Sequence, residues 1–319
     1  MGSTKVLDEN GGSVWEIPVA KDVVGMRILI ANIYFIGTHD DWFLVDGGMT
    51  NRADDIQRAA ESRFGIGARP RAIVLTHGHF DHVGAVKTLA ERWNVPVYAH
   101  ELELPYLTGR SKYPPADPTV SDSGLMGYLS FMYPRTGENL GELVQKFPDN
   151  DVLSFNNEWK IVSTPGHTPG HISLFRESDG VFIAGDAIVT TKPESAYSSL
   201  TESPQQIRRP PAYFTPDWVS SAESVRKIAA LKPETVATGH GKPMSGTLMK
   251  EQLEELARNF ESNGKPSRGR YVNAPAIADK NGVVSYPPVN SSQIGTVVST
   301  AIIAVSALAL LAVLTRKRA

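Results

Sequence analysis

Apolar runs and amphipathic stretches alternate along most of the chain. Arg27 to Gly37 (RILIANIYFIG) is apolar almost throughout and predicts a buried strand. Asp41 to Asp46 (DWFLVD) predicts the next strand and runs into Gly47-Gly48. A helix is expected from Thr50, as its N-cap, to Phe64, with Gly65 as its stop. Arg71 to Thr76 predicts a strand, His82 to Trp93 a helix and Val95 to Ala99 a short strand. The second half continues in the same way. Strands are expected at Trp159–Ser163, Ile172–Arg176, Gly180–Ala184 and Thr235–Thr238. Thr215-Pro216 opens a helix with Trp218, Ala222, Val225 and Ala229 on one face. Gly246 to Glu261 predicts another helix, and Val272 to Tyr286 a hairpin around Lys280-Asn281-Gly282. This alternation predicts an α/β sandwich.

Two segments break the rhythm. Residues 105–148 are rich in proline and tyrosine and form a long insertion, expected to act as a lid or substrate wall. Ile294 to Leu314 is a run of 21 uncharged residues, followed by the basic tail 315–319. At about 1.5 Å per residue such a run spans roughly 30 Å, the thickness of a bilayer's hydrocarbon core, and predicts a C-terminal transmembrane helix. The expected organisation is therefore a catalytic domain over 1–261, an extension and linker over 262–293, and a membrane anchor over 294–314. Residues 1–16 contain no apolar signal core, which favours a domain on the cytosolic side of that membrane.

Composition narrows the chemistry. The 319 residues carry a net charge of −2, so no nucleic-acid partner is expected. With no cysteine in the chain, any metal must be held by histidines and carboxylates. The run Thr76-His77-Gly78-His79-Phe80-Asp81-His82 packs four such groups behind the apolar stretch Ala72–Leu75. Four ligands in so tight a turn do not all converge on one ion, so two ions and further ligands are expected. His167, Asp186 and His240 follow later strand-like runs, each beside glycine. His171 and His100 are read as structural, and His39 as a loop residue.

His77-x-His79-x-Asp81-His82, followed in order by His167, Asp186 and His240, resembles the metallo-β-lactamase superfamily. The resemblance covers roughly Val14 to Glu261, and Asp46-Gly47-Gly48 resembles that family's Asp-Gly-Gly turn. It implies a four-layer αββα sandwich and two divalent ions, zinc first, with iron or manganese compatible with the same ligands. One ion would be bound by His77, His79 and His167, the other by Asp81, His82 and His240. Asp186 would bridge them, with Asp46 holding a ligand histidine by its far nitrogen. The implied reaction is hydrolysis of an ester, lactone or thioester carbonyl by a metal-bridging hydroxide, with Asp81 orienting the water or receiving its proton.

Glyoxalase II-like thioesterases and lactonases resemble the chain most. Its β-lactamases are disfavoured because they lack an aspartate equivalent to Asp186, and one group uses cysteine there. Lactonases of acyl-homoserine lactones commonly have tyrosine three residues after the bridging aspartate, where Val189 stands. The substrate is expected to be a small, amphiphilic molecule whose binding residues the sequence does not identify. Two alternatives are a mononuclear iron dioxygenase of the persulfide type and a membrane-tethered, non-catalytic binding protein.

Overall fold

Successive strand residues face two different apolar environments, and this alternation divides the molecule into layers. The computed structural model describes residues 4–7, 13–39, 41–148 and 152–289. The first sheet contains β1 (Thr4–Leu7), β2 (Ser13–Ala20), β3 (Val23–Ile28), β4 (Ala31–Thr38), β5 (Asp41–Val45), β6 (Ile73–Val74), β7 (Val97–Ala99) and β8 (Val144–Lys146), in that spatial order. It is antiparallel from β1 to β5 and parallel from β5 to β8. The second sheet contains β9 (Val152–Leu153), β10 (Asn156–Ser163), β11 (Ile172–Arg176), β12 (Val181–Gly185), β13 (Thr235–Thr238) and β14 (Met244–Ser245), also in sequence order. Only β12 and β13 pair in parallel there. A separate hairpin joins β15 (Ile277–Asp279) to β16 (Gly282–Ser285).

The helices are α1 (Ala53–Phe64), α2 (Phe80–Val83), α3 (Val86–Trp93), α4 (Leu104–Leu107), α5 (Gly124–Tyr128), α6 (Ala196–Thr201), α7 (Trp218–Ala230) and α8 (Thr247–Arg258). Three apolar cores separate four layers. Ile33, Phe35, Trp42 and Leu44 face Ile56 and Ala60 of α1 and Leu89 and Trp93 of α3. Their neighbours Tyr34, Ile36, Phe43 and Val45 face the other way, against Trp159, Ile172, Leu174 and Ile183 of the second sheet. Phe175, Phe182 and Val236 then pack on Trp218, Val225, Met249 and Leu253 of α7 and α8. The order helix, sheet, sheet, helix is the expected αββα sandwich.

Several local expectations change. The apolar run 27–37 is not one strand but the end of β3, a turn and most of β4. It folds at Leu29, which takes a positive φ of 60°, and no glycine or proline announces that turn. The helix expected over 82–93 splits into α2 and α3 at Gly84. A Cβ on Gly84 would lie 2.2 Å from the Thr50 backbone nitrogen, so the Gly48–Thr50 turn presses on the helix there. Asp217, rather than Thr215, caps α7, accepting from the backbone N–H of Val219 and Ser220 at 3.0 Å. The end of the insertion joins the first sheet as β8.

The expected membrane helix, membrane localisation and bilayer partner are corrected. Among the described residues no helix is long and apolar enough to cross a membrane. The longest, α7, has 13 residues, about 20 Å of helix, and buries Trp218, Ala222, Val225 and Ile228 on one face. The segment 294–314 lies outside the described residues. Over the described residues the fold class is thus the αββα sandwich, with no helix able to cross a membrane.

Trp159 is fully buried between the sheets, edge-on to Phe43, and its other face carries the Arg176 guanidinium at 4.8 Å. Trp159→Ala is expected to cost about 3–5 kcal/mol of stability, read by denaturant melts. A loss below ~1 kcal/mol would contradict a tightly packed inter-sheet layer.

Candidate metal centre

All seven residues expected to bind metal converge at one edge of the sandwich, where strand ends release loops from both sheets. His77, His79, Asp81 and His82 follow β6, and His167 lies between β10 and β11. Asp186 directly follows β12 and His240 follows β13. All seven are buried. Three groups of potential ligand atoms are close enough to share an ion: His77, His79 and His167; His77, His82 and Asp186; and Asp81, His82 and His240. Asp186 Oδ2 lies 3.1 Å from His240 Nε2, 3.5 Å from His167 Nε2 and 3.7 Å from His82 Nε2. Asp81 Oδ2 lies 3.5 Å from His240 Nε2.

Partners behind the rings assign their tautomers. Asp46 Oδ2 accepts from His82 Nδ1 at 2.9 Å and from the Thr76 hydroxyl at 2.8 Å. That hydroxyl has given its only proton to Asp46, so its 3.0 Å contact with His77 Nδ1 requires His77 to donate. His240 Nδ1 donates to the Ile30 carbonyl at 2.8 Å. Thr215 gives its proton to the Pro211 carbonyl and so accepts from His167 Nδ1 at 3.4 Å. The Nε2 lone pairs of His77, His82, His167 and His240 therefore all point into the centre. His79 instead presents Nδ1, 2.9 Å from His167 Nε2.

The inner atoms lack protein partners. His77 Nε2, His82 Nε2 and Asp186 Oδ1 are buried without a hydrogen-bond partner. Each such atom ordinarily costs about 1–3 kcal/mol. Convergent lone pairs and carboxylates fit divalent cations, which accept both. Burial holds His77, His79 and His167 below the ordinary histidine range, His79 at about 4. Burial also opposes charge on His82 and His240, but Asp186 and Asp81 outweigh it and raise both. The same pairing works back on Asp186: His240 and His82 overcome its burial and hold its carboxyl well below the usual range. The buried carboxylates thus draw positive charge to this point.

A second tier fixes the loops. His171 Nε2 accepts from the Asp186 backbone N–H at 2.9 Å, so its Nδ1 donates to Thr164 Oγ1, also at 2.9 Å. Asn32 and Tyr34 of β4 hold the His240 loop through the carbonyls of Thr238, Gly239 and Gly241. A Cβ on Gly239 would stand 2.1 Å from Asp186 Oδ1, so only glycine lets this backbone pass the carboxylate. His171 is a hydrogen-bonding residue, as read from the sequence. His39 is exposed in the β4–β5 turn, and His100 Nδ1 accepts from the Leu102 N–H.

Sequence reasoning missed Glu103, which is fully buried and accepts from Gly78 N at 3.0 Å and Gly170 N at 2.8 Å. Burial pushes its carboxyl up, against hydrogen bonds led by that of Tyr113. Its one sequence signal is its position just past the carboxyl end of a parallel strand, β7, where α/β sheets place functional groups. It also missed an aromatic wall. Phe214 lies against the His79 ring, with centroids 4.9 Å apart, and Phe80 and Tyr133 pack on Phe214.

The family model of the metallo-β-lactamase superfamily matches residues 26–240. The chain is 46% identical over 246 residues to "Probable metallo-hydrolase YflN" of Bacillus subtilis (strain 168), covering 76% of this chain and 92% of that protein. It is 30% identical over 237 residues to "Probable metallo-hydrolase YybB" of the same organism, covering 74% and 89%. Among solved structures, a β-lactamase domain protein from Burkholderia ambifaria shares the fold with a TM-score of 0.55 at 20% identity, covering 78% of this chain and 77% of that one. A matching family model, curated relatives and convergent histidine and aspartate groups together make this chain a metallo-hydrolase belonging to the metallo-β-lactamase superfamily.

Proposed function

We propose that the chain is a dinuclear metallo-hydrolase acting on the ester, lactone or thioester carbonyl of a small amphiphilic molecule. The observation that carries this reading is the convergence of five imidazoles and two carboxylates with unsatisfied atoms facing inward. His77, His79 and His167 would hold one ion, and Asp81, His82 and His240 the other. Asp186, within 3.7 Å of ring nitrogens from both triads, would touch both ions. The second triad favours this reading over the mononuclear dioxygenase alternative. Two bound divalent ions would supply Lewis acidity, bringing the pKa of water from about 15.7 toward neutrality and polarising a carbonyl.

The chain's own residues then orient and exclude. Asp81 lies beside His240 and His82, where its carboxylate would orient the attacking water and take its proton. Asp46, through the His82 Nδ1 proton, keeps that ring's Nε2 facing the centre. Phe80, Phe214 and Tyr133 shield the His79 side from bulk water.

The rim supports an amphiphilic substrate. Leu29 precedes Ile30, whose carbonyl accepts from His240. Arg27 donates to the Ser199 and Leu200 carbonyls and so brings α6 to that turn. α5 packs against α6, and Met126 of α5 receives the Tyr133 hydroxyl at 3.7 Å. Leu29, Phe131, Met132, Tyr197 and Leu200 on these segments are each more than half exposed. An apolar tail laid on them would lead its carbonyl along the aromatic wall to the centre.

Asp186→Ala is expected to leave at most one metal equivalent. It should also lower kcat/KM by more than the ~10–100-fold typical of losing a supporting partner. Metal quantification and kinetics with a panel of esters, lactones and thioesters read both, and retained activity with two ions would sink the dinuclear reading. Catalytic efficiency on matched acyl substrates should rise with chain length, by up to about fourfold per fully buried methylene. The pair Leu200→Asp and Met132→Asp should flatten that rise while short-chain turnover persists. Equal turnover of short and long chains by the unmodified protein would rule out the apolar dock.

A further inference from the structure

Glu103 is an odd group to bury. It sits in the turn after β7 with no exposed surface, held by two backbone N–H groups and a tyrosine hydroxyl. Its Oε2 accepts from the Gly78 N–H at 3.0 Å and from the Tyr113 hydroxyl, and its Oε1 from the Gly170 N–H at 2.8 Å. Gly78 lies between His77 and His79. Gly170 lies three residues after His167. One carboxylate therefore ties together the two loops that carry the first triad, one from each sheet.

We infer that Glu103 is a positioning residue for the His77, His79 and His167 ion, set by Tyr113 from the insertion; this rests on the dinuclear reading above. All the partners named here are donors, so an acceptor-only carboxylate satisfies them where no neutral side chain of that length does. Tyr113 is itself braced. It stacks on Tyr106 at 4.0 Å, sits 4.6 Å from the His79 ring, and exchanges backbone and side-chain hydrogen bonds with Arg135. The insertion thus reaches beneath the ligand loop as well as over the site. The second triad has separate supports, Asp46 behind His82 and the Ile30 carbonyl behind His240. Loss of Glu103 must then act on one ion and spare the other.

Glutamine at this position turns its amide nitrogen toward the N–H of either Gly78 or Gly170, whichever way it rotates. Aspartate is one methylene short of spanning both loops. The test uses the full chain loaded with cobalt(II), its two binding constants read by chelator competition and its visible absorption followed for each site. Glu103→Gln and Glu103→Asp are expected to weaken one equivalent by about 10–100-fold and change the absorption of that site alone, leaving the other within about threefold. Tyr113→Phe, which keeps the stacked ring, should shift the same equivalent less, and it carries the test if the Glu103 variants do not fold. A merely structural role would lower thermal stability and weaken both equivalents alike, and that result overturns the inference. So does a pair of unchanged constants. If the unmodified protein binds fewer than two ions, the dinuclear reading itself falls.

Discussion

Everything at the functional edge depends on one electrostatic constraint. Asp186 and Asp81 are buried beside ring nitrogens whose lone pairs face them. Two carboxylates buried this close together need compensating positive charge, since desolvation and mutual repulsion both penalise them. Asp186 and Asp81 together outweigh burial at His82 and His240 and raise both, whereas burial prevails at His77, His79 and His167 and lowers them. Divalent ions meet the same demand without protons. The site's electrostatics and its proposed chemistry are then two consequences of one charge arrangement.

That arrangement is assembled from two sheets, so it needs bridges between them. Asn32 and Tyr34 reach from the first sheet to the His240 loop of the second. Glu103 reaches from the first sheet to the His167 loop. Within the second sheet, His171 adds a tie of its own, accepting from the Asp186 N–H and donating to Thr164 Oγ1 at the root of the His167 loop. Each bridge ends on backbone of a ligand loop, not on a ligand side chain. Backbone anchoring fixes where a loop runs and leaves ring orientation to separate partners such as Asp46 and the Ile30 carbonyl.

The candidate ligands could be picked out in the sequence because their chemistry is local. His77 to His82 sit in one short turn, and His167, Asp186 and His240 each follow an apolar strand. The layers were legible for a similar reason: unbroken apolar runs such as Ile33–Ile36 and Trp42–Val45 mark strands buried on both faces. The hairpin at Leu29 was hidden because its turn is built from apolar residues, and hydrophobicity cannot distinguish one long strand from two short ones. Gly84 split a helix for a tertiary reason, the nearby Gly48–Thr50 turn. Glu103 was hidden more deeply. An acid in the polar stretch Glu101–Glu103 looks solvated, and its meaning comes only from Gly78 and Gly170, 25 and 67 residues away.

The same contrast separates chemistry from specificity. Ion-binding groups must meet within a few ångströms, so selection compresses them into short signatures at strand ends. A dock for an apolar tail has no such demand, because burial free energy grows with area and tolerates many side-chain choices. Leu29, Phe131, Met132, Tyr197 and Leu200 come from three separate segments and share no motif, only exposure. The insertion takes part in both. Tyr113 buttresses the His79 loop from beneath, while Phe131 and Met132 are exposed and Tyr133 packs on Phe214. Replacing this insertion to change substrate preference therefore risks the metal centre as well. Specificity here is best altered at the exposed rim, leaving Tyr113 and its partner Glu103 in place.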